Sequence, residues 1–179
     1  ISEDSPATLA FPQFESELYR GAASEVSGLT DAQLDFESDK WGWSGWSIRR
    51  QLSHMASGNF RWFWARWGLQ MFPGGAPLDV PNPEETDSLA RSKYDRRLDE
   101  DLYWDVDAIL EKLRLGLSLG QAILSNETVG SLRTKEFEFA DDGAWPHMYN
   151  IHGAGLRRDT EVTTKIWFRL DMIFRHRYY

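Results

Sequence analysis

Four histidines, His54, His147, His152 and His176, have the widest chemical range in this chain. An imidazole ligates a metal or carries a proton near neutral pH. Cysteine is absent, which removes thiol nucleophiles, disulfides, thiolate-bound zinc and iron–sulfur clusters. Chemistry must therefore run on histidine, carboxylate, arginine or tyrosine. No H-E-x-x-H, G-x-S-x-G or G-x-x-x-x-G-K pattern occurs. "GAGLRR" at 153–158 follows no predicted strand, so it is not read as a nucleotide loop.

His54 lies in "WSIRRQLSHM", residues 46–55. Ser47 suits the cap of a helix that runs on to Trp67 or Gly68. At ~100° per residue, His54 falls about 120° from Ile48, beside Gln51, Gly58 and Arg61 and off the Leu52–Met55 stripe. Such an edge position either lines a pocket between helices, where bundles build metal sites, or holds a half-exposed, hydrogen-bonded histidine. On periodicity alone the second case is the commoner. His176 takes a similar edge, about 80° from Ile166 and on the side of Arg169 and Met172. If these two helices are neighbours, the two imidazoles face one cavity. His147 and His152 are five residues apart in an irregular stretch, match no ligand spacing, and read as loop residues. Asp99, Glu100, Asp101, Asp105 and Asp107 read as a solvated face with favourable charge ahead of a helix. Trp62, Trp64 and Trp67 read as core or dimer interface.

The elements that must position these residues are helical. "PQFESELYRGAASEVSG" (12–28) repeats Phe14, Leu18, Ala22 and Val26 every four residues and stops at Gly28. A polar connection pinned by Leu29 and Leu34 leads to the helix of His54. The proline-rich stretch 72–87 reads as a loop anchored by Phe72, Leu78 and Val80. A third helix, about Leu102 to Leu124, carries Ile109, Leu110, Leu113, Leu117 and Ile123, with Gly116 and Gly120 inviting a close neighbour. Residues 130–159 read as irregular, with "KEFEFADDG" alternating as a short strand would. From Thr160 the last segment reads as a helix again, with Ile166, Leu170 and Ile173 inward. The fold predicted is all-α: one domain over 1–179, an antiparallel four-helix bundle with long irregular connections.

Composition narrows the function. The net charge is −8, with Asp and Glu at 28 against 20 for Lys and Arg, so an acidic surface repels nucleic-acid phosphates. No apolar run approaches the ~20 residues that span a bilayer, and no signal-peptide pattern opens the chain. With cysteine absent, a cytoplasmic location is expected. Nine tryptophans promise a core of large side chains.

The stretch "LTDAQLDFESDKWGWSGWSIRRQLSHMASGNFRWFWARW" resembles the DinB/YfiT-like family of small four-helix bundles. In that family a "WS" pair caps the second helix, and a metal-ligating histidine follows about seven residues after the serine. Trp46, Ser47 and His54 stand at those places, and the likeness covers residues 13–67. The resemblance implies a divalent metal, zinc or nickel, held by three histidines with an open fourth position. Two of the three come from an H-x-x-x-H pair on the last helix. His176 suits the first of that pair, and its partner falls at position 180, one past Tyr179. Neither Tyr179 nor Asp171 lies one turn from His176 on its face. From the start on Ile1 and the unstopped "FRHRYY", the expectation is a chain cut from a longer one. A homodimer is also implied by the resemblance.

Two functions follow. One is a metalloprotein with His54 and His176 as ligands and Arg61 or Arg169 holding an anionic group of a small substrate or thiol cofactor. It would catalyse thiol-dependent transfer or metal-assisted hydrolysis. The alternative is a metal-free binding or interaction module, a homodimeric bundle with an aromatic-lined pocket.

Overall fold

The computed structural model describes residues 1–14, 17–66, 82–94, 96–140, 155–158 and 161–165. They fall in two compact units: Phe11–Ile123, and Ile1–Ala10 with Leu124–Tyr179. Helix predominates among the described residues, which is the coarse part of the predicted fold.

In the Phe11–Ile123 unit, a 3-10 turn at Pro12–Phe14 leads to α1, Glu17–Val26, and Gly28 leaves that helix at φ 77°. A left-handed φ carries no Cβ penalty at glycine, which is why the chain turns there. α2, Asp31–Leu34, sits inside the predicted polar connection. It is nucleated by a reciprocal cap, Thr30 accepting from Gln33 N–H while the Gln33 side chain accepts from Thr30 N–H at 2.9 Å. α3, Ile48–Asn59, is capped by Ser47 as its sequence predicts, the hydroxyl accepting from Arg50 N–H at 3.3 Å. The chain then continues as a π-helical segment, Phe60–Arg66. α4, Pro83–Ala90, begins inside the stretch 72–87 that the sequence predicts as loop. Asn82 accepts from Glu84 and Glu85 N–H, proline takes a first-turn position, and two glutamates face the helix's positive end. α5, Val106–Ser125, starts four residues later than predicted, where Asp105 Oδ1 accepts from Asp107 and Ala108 N–H at 3.0 Å.

The core of this unit is built on α3, the π-helical segment and α5. Phe14 and Phe63 meet edge to face, with centroids 5.3 Å apart. A Cβ on Gly120 would lie 2.9 Å from both rings, and one on Gly116 would lie 2.7 Å from the Asn59 Cβ. The two glycines therefore mark a close approach, as their spacing predicts. The buried stripe of α3 is Arg49, Leu52, Ser53, Ala56 and Ser57, and Ile48 is exposed. This corrects the phase read from sequence by about one residue. The cause is Arg49, which is buried because three partners meet it.

In the other unit, residues 2–7 are tied to 127–130. Ala7 N–H donates to Glu127 O at 2.9 Å, Val129 N–H to Ser5 O at 2.9 Å, and Gly130 N–H to Glu3 O at 2.8 Å. α6, Val129–Thr134, is capped by Thr128. β1 (Glu136–Ala140), β2 (Gly155–Arg158) and β3 (Glu161–Lys165) form an antiparallel sheet in the order β1-β3-β2. Phe137 pairs with Thr164, and Leu156 with Thr163. Two expectations change here. Residues 130–159 are not wholly irregular, and the helix expected from Thr160 is a strand over 161–165. The run Val162, Thr163, Thr164 is β-branched and favours a pleated backbone. Residues 166–179 lie outside the described residues.

Candidate functional site

α3 presents His54 half-buried. Its Nδ1 lies 2.8 Å from the backbone carbonyl of Arg96. A carbonyl only accepts, so Nδ1 carries the hydrogen and the lone pair of the neutral ring is on Nε2. The Trp46 ring meets the imidazole edge-on, with centroids 5.3 Å apart. Arg96 has φ 53°, a left-handed backbone unusual for a side-chain-bearing residue. Two residues on, Leu98 N–H donates to Ser53 Oγ at 3.0 Å. Residues 96–98 are thus stitched to adjacent positions of α3, and that fixes the imidazole's tautomer and tilt.

Cations surround this point. The guanidinium of Arg97 lies 4.8 Å from the Trp46 ring centroid and that of Arg96 5.3 Å, both within cation–π reach. Arg97 Nε donates to Glu100 at 2.7 Å, and Arg50 Nε donates to the same carboxylate oxygen at 3.1 Å. Arg49, one of the most buried polar residues, donates to Asp35 and Asp31 at 2.6 Å each and to Trp104 O at 2.8 Å. The Asp35 hydrogen bond, above all, raises the Arg49 pKa further over its already high ordinary value. This clamp joins α2, α3 and the segment before α5, and so sets the rotation of α3 that places His54. The acidic run read as solvated is in part engaged: Glu100 holds Arg50 and Arg97, and Asp101 holds Lys93 and Tyr94.

Of the residues singled out from sequence, His54 and Arg61 are described, Arg61 half-buried on the π-helical segment. His176, Arg169, His147, His152 and Trp67 lie outside the described residues. Among the described residues no group of three His, Cys, Asp or Glu side chains converges as a metal site. Arg49 and Arg96 were missed. Asp31 and Asp35, four apart and so on one face of α2, were the available signal for Arg49. Nothing local marks Arg96 as left-handed.

A second feature adjoins Trp46. A recess of about 480 Å³ is walled by Phe36, Trp41, Trp46 and Ile48, with Gln33, Gln51, Ser38, Ser44 and Lys40 around it. Phe36 is 70% exposed and Trp41 52% exposed, a large outlay of apolar surface to water. The turn 38–44, which supplies part of the lining, is ordered by hydrogen bonds from Ser38 N–H to Ser44 O and from Ser44 N–H to Trp41 O, both at 2.9 Å.

Set against protein-family models, curated proteins and solved structures, the chain matches none. Among the described residues, no helix is long and apolar enough to cross a membrane.

Proposed function

We propose that this chain is a DinB-like four-helix-bundle protein that binds a divalent metal, zinc or nickel, through His54 and His176. Its activity would be thiol-dependent transfer or metal-assisted hydrolysis on a small molecule. Arg61 and Arg169 would hold an anionic group of the substrate. The observation that carries the reading is the hydrogen bond from His54 Nδ1 to the Arg96 carbonyl at 2.8 Å. Ligating histidines characteristically donate their other ring N–H to a carbonyl or carboxylate, which fixes tautomer and orientation. His54 therefore fits an imidazole ligand presenting Nε2. A bound divalent metal supplies Lewis acidity, lowering the pKa of a thiol or water and polarising a carbonyl. The protein's own part is to hold His54 rigid through residues 96–98 and the Trp46 edge.

The test is elemental mass spectrometry on the full natural chain, purified without a histidine tag. About one zinc or nickel per chain is expected, falling to background in a His54→Ala variant whose circular dichroism is unchanged. A metal-free wild-type protein, or a folded His54→Ala variant that keeps its metal, overturns the proposal.

A second reading, a metal-free binding module, is favoured by the exposed aromatic recess between Phe36, Trp41, Trp46 and Ile48. It requires no metal and predicts a ligand for that recess.

A further inference from the structure

The recess beside Trp46 has aromatic walls and one formal charge. Of the residues that line it, Lys40 alone has a basic or acidic side chain. Among the described residues, Lys40 forms no ion pair, and its ammonium lies 5.2 Å from the centroid of the Trp41 ring. Of the acidic residues close to it in sequence, Glu37 is taken by Arg50, and Asp39 directly precedes it. Lys40 N–H donates to Ser38 Oγ at 3.1 Å, which holds the residue within the ordered 38–44 turn. In a chain of net charge −8, Lys40 is thus a cation without an ion-pair partner among the described residues, beside an exposed aromatic hollow. Phe36, Trp41 and Ile48 stay wet at an energetic cost that a bound apolar ring would remove. A volume of about 480 Å³ lies within the range of small-molecule sites and holds one or two fused rings.

We propose that this recess binds a planar aromatic carboxylate, its ring packed against Trp41 and Phe36 and its carboxylate accepting from Lys40 Nζ. The proposal rests on the binding-module reading, names its ligand class, and is independent of a metal at His54. Ring packing supplies most of the affinity because the walls are large and apolar. Lys40 supplies the sign preference, which is modest because the ammonium is exposed and screened by salt.

The experiment is isothermal titration calorimetry at pH 7 and low salt with three probes of one shape: 1-naphthoate, 1-naphthalenemethanol and 1-naphthylmethylamine. Saturable one-site binding is expected, the carboxylate about threefold tighter than the alcohol and the amine weakest. Lys40→Gln should remove the preference for carboxylate over alcohol and leave alcohol binding in place. Trp41→Ala should weaken all three probes. Both side chains are exposed, and circular dichroism checks that each variant is folded. If none of the probes saturates, the recess is not a site for aromatic carboxylates and the inference is overturned. If carboxylate and alcohol bind alike, or the preference survives Lys40→Gln, only the charge-selective inference is overturned. If no probe binds and sedimentation shows a dimer that Trp41→Ala dissociates, a second copy of the chain occupies the face.

Discussion

At the scale of single residues, Arg49 and Tyr94 show how partners rather than residue type set behaviour. Arginine is rarely buried, yet Arg49 is 3% exposed because two carboxylates and a carbonyl replace its water. Tyr94 is exposed to a partner of another kind: its phenol donates to Asp101 Oδ1 at 2.9 Å. That hydrogen bond holds the phenol above its ordinary pKa, while Lys93 and Tyr94 together hold the Asp101 carboxyl below its own. A raised phenol pKa contributes stability that is present below about pH 10 and lost as pH rises through the folded value. Ultraviolet titration at the tyrosinate band should show Tyr94 ionising above the ordinary tyrosine range. Asp101→Asn should bring that tyrosine back toward the others, and an unmoved titration would show that Asp101 is not the cause.

At the scale of elements, the contact of α3 with α5 depends on a missing side chain. A Cβ at position 116 would stand 2.7 Å from the Asn59 Cβ, and neither backbone can yield alone. Gly116→Ala gains roughly 1 kcal/mol of helix propensity but incurs about 1–3 kcal/mol of overpacking, so destabilisation is expected. Thermal unfolding should report a lower midpoint. A higher midpoint would mean that α3 and α5 pack less closely than these distances require. The π-helical segment after α3 changes the angular phase within one continuous helical run. A count at ~100° per residue still places Phe63 about 20° from Leu52, and Phe63 is fully buried. Periodicity thus tracked the buried face at Leu52, Ala56 and Phe63, and Arg61, read as an edge position, is half-buried.

At the scale of the whole molecule, acid outnumbers base by 28 to 20, and only part of it is engaged in local pairs. Hydrogen bonds from Lys93 and Tyr94 lower the Asp101 pKa, and Arg114 lowers that of Glu111. A carboxyl with a lowered folded pKa contributes stability above its unfolded value, near 4, and loses it as pH falls through the folded one. Stability in urea should therefore hold between about pH 5 and 7 and decline below about pH 4. Glu111→Gln should soften that decline, and an identical acid limb in the variant would remove Glu111 from the account.

The sequence by itself determined what depends on near neighbours. Ser47 as a cap, the helix after it, Gly28 as a stop, Leu34 as an anchor and the glycine pair 116/120 as a contact are all local statements about hydrogen bonds, sterics and periodicity. The Asn82–Pro83–Glu84–Glu85 start of α4 was local too, but the surrounding prolines outweighed it. The strand at 161–165 was hidden differently, because its pairing residues lie at 136–140 and 155–158. Tertiary structure alone decided the tautomer of His54, since the acceptor is 42 positions away on a left-handed residue. It alone decided that Arg49 is inside and Ile48 outside. Those outcomes turn on where a carboxylate or carbonyl arrives in space, and spacing along a chain does not encode that.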